Sequence, residues 1–119
     1  MPQGAHDGGS KTRKRQPRRL RRLVRALTPY RPERVYLFGS WATGEADELS
    51  DVDLVVIKST SAPFFERLRE VGQFLPAELR AVDILVYTPE EFAHMKANGN
   101  AFVEMVEAEG VVLYDAFRP

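Results

Sequence analysis

Three aspartates and a Gly-Ser pair are the residues of this 119-residue chain whose types and spacing could do chemistry. Asp51 and Asp53 stand two apart at the head of the apolar run Val52-Asp53-Leu54-Val55-Val56-Ile57. Residues two apart on a strand point to the same face, about 7 Å apart along it. The paired metals of phosphoryl-transfer sites sit roughly 3.5–4 Å apart, so two such carboxylates can grip both ions between them. Mg²⁺ takes hard oxygen ligands and completes its shell with substrate phosphates and water. Asp83 is set inside a second apolar run, Ala81-Val82-Asp83-Ile84-Leu85-Val86. Burying an ionised carboxylate without a partner is costly, so a cation or a donor is expected beside it. A metal shared with Asp51 and Asp53 would serve, and so would a salt bridge to Arg80 or Arg34. Gly39-Ser40 follows a short apolar run directly; glycine allows a tight turn, and backbone N–H groups with the Ser hydroxyl can hold phosphate oxygens. No Gly-Lys-Ser/Thr occurs, which excludes a Walker P-loop. Singly, each feature reads equally well as a turn, a cap or a salt bridge. Their order and spacing make them one constellation.

The flanking sequence supplies elements to position these groups. Leu20, Leu23, Val24 and Leu27 fall at i, i+3, i+4 and i+7, one stripe of an arginine-rich helix ended by Thr28-Pro29 and Arg31-Pro32. Residues 34–38, 52–57 and 81–87 read as buried strands; runs with so little polar alternation belong to sheets covered on both faces or nearly so. Phe65, Leu68, Val71 and Leu75 mark a helix from near Pro63 to Pro76, and Phe64, Phe65 and Phe74 read as core. Thr88-Pro89-Glu90-Glu91 carries a capping box for a helix running to about Lys96. Phe102, Val103 and Val106 support another helix ended by Gly110, ahead of a last strand from Val111 to Tyr114. The predicted fold class is α/β (α+β): a small mixed β-sheet with helices packed mainly on one side. His6 and His94 have no metal-ligand companion, and Trp41 could stack on a base or pack on the core.

Length allows one domain, expected over residues 18–119, behind a disordered basic arm at 1–17. With no cysteine, disulfides, thiolate nucleophiles and Cys-based zinc sites are excluded. No membrane span or secretory signal is read, so a cytoplasmic location is expected. The zero net charge hides an asymmetry, +9 over residues 1–34 and −9 over residues 35–119. Arg13 to Arg25 are expected to engage a polyanion or an acidic partner surface in a salt-dependent way.

The segment Gly39-Ser40 … Ser50-Asp51-Val52-Asp53-Leu54, with Asp83 and the terminal Glu109-Gly110-Val111-Val112-Leu113-Tyr114, resembles the polymerase-β-type nucleotidyltransferase superfamily, and within it the minimal nucleotidyltransferases of bacteria and archaea. The resemblance implies that Gly39 and Ser40 hold the triphosphate of ATP or another NTP. It further implies that Asp51 and Asp53 bind two Mg²⁺ ions, and that Asp83 binds the catalytic one and helps deprotonate the acceptor hydroxyl. Such proteins resemble the antitoxin half of toxin–antitoxin pairs, which implies adenylylation of an all-helical HEPN partner. The alternatives are a non-catalytic neutralising or adaptor subunit, and transfer to RNA or a small molecule.

Overall fold

The structure is a computed structural model that describes residues 17–47, 51–79 and 81–118. The basic arm lies outside the described residues except for Pro17, and so do Ser50 and Arg80. Helix α1 (Arg18–Leu27) buries Leu20, Leu23 and Leu27. A tight turn at Thr28–Tyr30 and a left-handed Arg31 end it and lead into β1 (Arg34–Phe38). Gly39 opens the single-turn helix α2 (Ser40–Thr43). Strand β2 (Val52–Ile57), helix α3 (Phe64–Gly72) and strand β3 (Val82–Tyr87) follow. Helices α4 (Pro89–Ala97) and α5 (Ala101–Glu109) precede the last strand, β4 (Val111–Asp115). The capping box forms as the sequence predicts: the Glu91 N–H donates to Thr88 Oγ1 at 3.1 Å, and the Thr88 N–H donates to Glu91 Oε1 at 2.9 Å. No described helix is long and apolar enough to cross a membrane.

The four strands lie in the order β3-β2-β1-β4. β1 runs antiparallel to β2 and β4, and β2 runs parallel to β3. A parallel pair needs a long crossover, and the segment carrying α3 provides it. Side-chain alternation then sorts the sheet. Val35, Leu37, Val52, Leu54, Val56, Ile84 and Val86 point to one face, where they form the larger core with α1 and with Val71, Leu75 and Leu79. Tyr36, Val55 and Ile57 point to the other, under Phe92 of α4 and Val103 and Val106 of α5. The mixed sheet is as expected, with most of the core on one side; the structure adds that α4 and α5 cover part of the second face.

Helix α3 corrects the sequence reading. Its buried residues are Arg67 and Val71, whereas Phe64, Phe65, Leu68 and Phe74 are 41%, 71%, 46% and 37% exposed. Hydrogen bonding of Arg67 accounts for this orientation. Nε donates to the Ala62 carbonyl at 2.9 Å and Nη1 to the Val86 carbonyl at 3.1 Å. Nη1 and Nη2 also clasp the two Glu91 oxygens at 2.6 and 3.0 Å. One guanidinium thereby ties α3, the end of β3 and the start of α4 together, and it turns the Phe65 and Leu68 side chains outward. Removing it strands two carbonyls, so Arg67→Leu should cost about 2–3 kcal/mol. For a domain of this size that lowers Tm by roughly 10 °C in a thermal melt. Glu91 is half exposed, and chiefly its bonds from Arg67 hold its carboxyl below the ordinary 4.5. A depressed pKa gives stability that is present above that ordinary value and lost as pH falls through the lowered one. Glu91→Gln should therefore flatten the acid limb of the Tm–pH curve below about pH 4.5. An unchanged limb would show that the pair contributes nothing.

Candidate functional site

β2 and β3 are parallel and in register, with Asp53 opposite Asp83. β1 sets Phe38 opposite Asp53 from the other side. Phe38, Asp53 and Asp83 therefore share the face that α4 and α5 cover only toward its far end. There Val55 is fully buried and Ile57 is 6% exposed, whereas Asp53 is half-buried and Asp83 is open. The apolar setting of Asp83 predicted a buried carboxylate. The structure corrects this: β3 is an edge strand, and no described residue buries Asp83, which is exposed. Arg34, one of the two arginines considered as its partner, instead pairs with Asp115 at 3.4 Å and donates to the Tyr36 hydroxyl at 3.2 Å.

Gly39 packs directly on Asp53. A Cβ added to Gly39 would sit 2.6 Å from Asp53 Oδ2. Its backbone angles, φ 76° and ψ −155°, belong to a region that essentially only glycine occupies. The turn is fixed by Ala42 and Thr43, whose N–H groups donate to the Gly39 carbonyl at 3.0 and 3.2 Å. Ser40, half-buried, opens α2 immediately beside it, and Trp41 packs against the larger core. The turn and the first strand carboxylate thus touch, although they lie on different strands.

Asp53 titrates above its ordinary 3.8. Burial is the largest cause, followed by the charge of Asp83, a hydrogen bond with the Asp83 carboxyl, and the charge of Asp51. A neighbouring carboxyl in hydrogen-bond contact raises the cost of ionising Asp53, and a cation between the two would relieve it. Asp51 sits one residue before β2, outside the ladder, and acts on Asp53 through space. Among the described residues, no three Asp, Glu or His side chains gather tightly enough to form a metal cage. The fit to Mg²⁺ is therefore that of an open carboxylate pair with a third acid nearby, which suits an ion that completes its shell with phosphate and water.

The sequence did not reveal the surroundings of Asp83. It lines an open trough of about 450 Å³ with Phe38, Leu68, Val82, Ile84 and Leu85. Leu68 comes from α3, and only the helix rotation set by Arg67 brings it there.

The raised pKa of Asp53 has a consequence for stability. The cost of ionising it in the fold is absent below the ordinary 3.8 and fully present above the raised value. Asp53→Asn should therefore raise Tm by a few degrees near neutral pH without nucleotide or Mg²⁺, and the gain should vanish near about pH 3. An equal or lower Tm at neutral pH would mean that the carboxylates do not repel.

Comparison with known proteins bears on the fold and the family. In solved structures, the chain is similar to a candidate nucleotidyltransferase from Sulfolobus solfataricus, with 21% identity, a TM-score of 0.61, and 96% of each chain covered. It is also similar to a chain of a toxin–antitoxin complex crystallised with AMP-PNP, at 21% identity and a TM-score of 0.56, over 82% of this chain and 73% of that one. At this identity both show the shared fold. A search of curated proteins finds no match. The sequence profile of the nucleotidyltransferase domain matches residues 17–98, a span that contains the Gly39 turn and all three aspartates, and the chain belongs to that family.

Proposed function

We propose that this protein is a Mg²⁺-dependent nucleotidyltransferase that moves AMP from ATP to a hydroxyl on a partner protein, as the antitoxin of a toxin–antitoxin pair. The observation that carries the reading is the packing of Gly39 against Asp53, with Asp83 in register beside it. A glycine turn of the kind that can accept phosphate oxygens meets a carboxylate pair that a cation would stabilise. Gly39 and Ser40 would hold the triphosphate, and Asp51, Asp53 and Asp83 would hold Mg²⁺. The bound ions would neutralise phosphate charge and lower the pKa of the acceptor hydroxyl. Asp83, exposed in its trough, would take the proton of that hydroxyl. The neighbour crystallised with AMP-PNP supports an adenine nucleotide, and its toxin–antitoxin assembly supports a protein partner; that this partner is of HEPN type rests on the family resemblance alone.

ATP labelled at the α-phosphate, Mg²⁺ and the product of the adjacent gene test the reading. Wild type should transfer label to the partner and lose the transfer with EDTA. If no label reaches a helical partner, an RNA or a small hydroxyl compound, the fold serves as a non-catalytic neutralising subunit and the enzyme reading is wrong.

A further inference from the structure

Helix α1 carries charge where a helix resists it. Its first turn holds Arg18, Arg19 and Arg21 and no acidic residue, against the positive end of the helix dipole. Arg18, Arg21, Arg22 and Arg25 recur at i, i+3, i+4 and i+7, which stacks like charges on one face and opposes helix formation. The packing of Leu20, Leu23 and Leu27 on the opposite face holds the helix in place regardless. The four arginines line a shallow cleft of about 170 Å³. Two contacts fasten α1 to the segment leading into β3: Arg19 Nη2 donates to the Ala81 carbonyl at 2.7 Å, and Arg22 Nη2 donates to Glu78 Oε2 at 2.7 Å. The ridge is thus a built surface, anchored by Arg19 and Arg22 and far richer in arginine than helix formation favours.

We infer that this ridge binds the phosphate backbone of a nucleic acid, without reading its bases. Guanidinium groups present planar forks that match phosphate oxygens. From Arg18 to Arg25 the helix rises about 10 Å, enough to meet more than one phosphate. Among the described residues the cleft is lined by arginines alone, whereas a protein interface needs an apolar centre inside its polar rim. This favours a phosphate chain over an acidic protein surface. The remainder of the molecule, at −9 over residues 35–119, repels a polyanion and confines it to α1. The sequence just upstream adds Lys11, Arg13, Lys14 and Arg15.

Fluorescence anisotropy of the full chain with a 20-nucleotide single-stranded RNA, the DNA of the same sequence, and a poly-glutamate peptide tests the assignment. The RNA or the DNA should bind with a log–log salt slope near −2, the value for about three phosphates on a single strand. RNA alone, or RNA and DNA alike, both support the ridge and identify the source of the phosphate chain. The triple variant Arg18→Gln/Arg21→Gln/Arg25→Gln keeps Arg19 and Arg22 as anchors. It should bind at least tenfold more weakly, with a clearly shallower salt slope. The corresponding triple Lys variant should retain most of the slope, which separates loss of charge from loss of fold. Asp53→Asn should bind nucleic acid like wild type, so failure of the transfer reading would leave this one standing. Wild-type affinity in the Gln variant, a flat salt dependence, or poly-glutamate binding as tight as RNA would overturn it.

Discussion

Asp83→Ala is expected to bind ATP and Mg²⁺ within about threefold of wild type yet to transfer label roughly a thousandfold more slowly, the scale of a lost proton acceptor. The two paired carboxylates differ in their surroundings. Asp53 is half-buried and packed on Gly39, which the proposed reading makes the nucleotide side. Asp83 is exposed on the edge strand and lines the apolar trough, which the same reading makes the acceptor side. A group that acts only as the hydroxyl gives up its proton stabilises the transition state and leaves ground-state binding alone. Asp53→Asn should show the other pattern, with ATP affinity lost in the presence of Mg²⁺. Calorimetry for binding and single-turnover labelling for rate separate the two. If Asp83→Ala loses affinity and rate equally, the division of labour is wrong; if Asp53→Asn binds ATP–Mg²⁺ like wild type, Asp53 is not a metal ligand.

The second large effect is expected at Gly39. Gly39→Ala should lower Tm by roughly 10 °C or more and abolish transfer even where the variant remains folded. Two costs add. An L-residue held in this backbone region is strained by about 1–3 kcal/mol. The new methyl would also lie 2.6 Å from Asp53 Oδ2, so the carboxylate must move. A double-variant cycle tells them apart, because Gly39→Ala combined with Asp53→Ala removes the clash and keeps the strain. The Tm of the double variant should recover in part. A single Gly39→Ala chain with wild-type Tm and transfer would show that the turn and the carboxylate are not in contact.

What the sequence revealed depended on the range of the rule. The Thr88–Glu91 capping box, the three apolar strands and the helix stop at Gly110 follow from neighbours within a few residues, and all three are present. Gly39-Ser40 and the aspartates were legible as a motif because their spacing along the chain is itself the signal. What escaped was set by distant contacts. Arg67 is polar and on a helix, so periodicity assigns it to solvent; its partners Val86 and Glu91 lie in and just beyond the next strand, and they turn it inward and Phe65 outward. Asp83 looked buried because its neighbours are apolar, and only the strand order shows that it stands at an edge. The trough beside it draws on β1, α3 and β3 at once, which no local pattern records.

The mixed direction of the sheet also sets the order in which the site can assemble. β1 and β2 are consecutive and antiparallel, so one hairpin brings Gly39 to Asp53 through local pairing. Asp83 joins only when β3 closes beside β2 across the crossover that carries α3. Loop-closure entropy must be met before such a distant parallel pairing is rewarded, which makes it a slow step of folding. The Gly39–Asp53 contact is therefore expected to form before the Asp53–Asp83 pair. A ligand that spans both strands would bind only the finished chain, and by mass action it would protect the last contact to form, and the first to open, from unfolding and proteolysis.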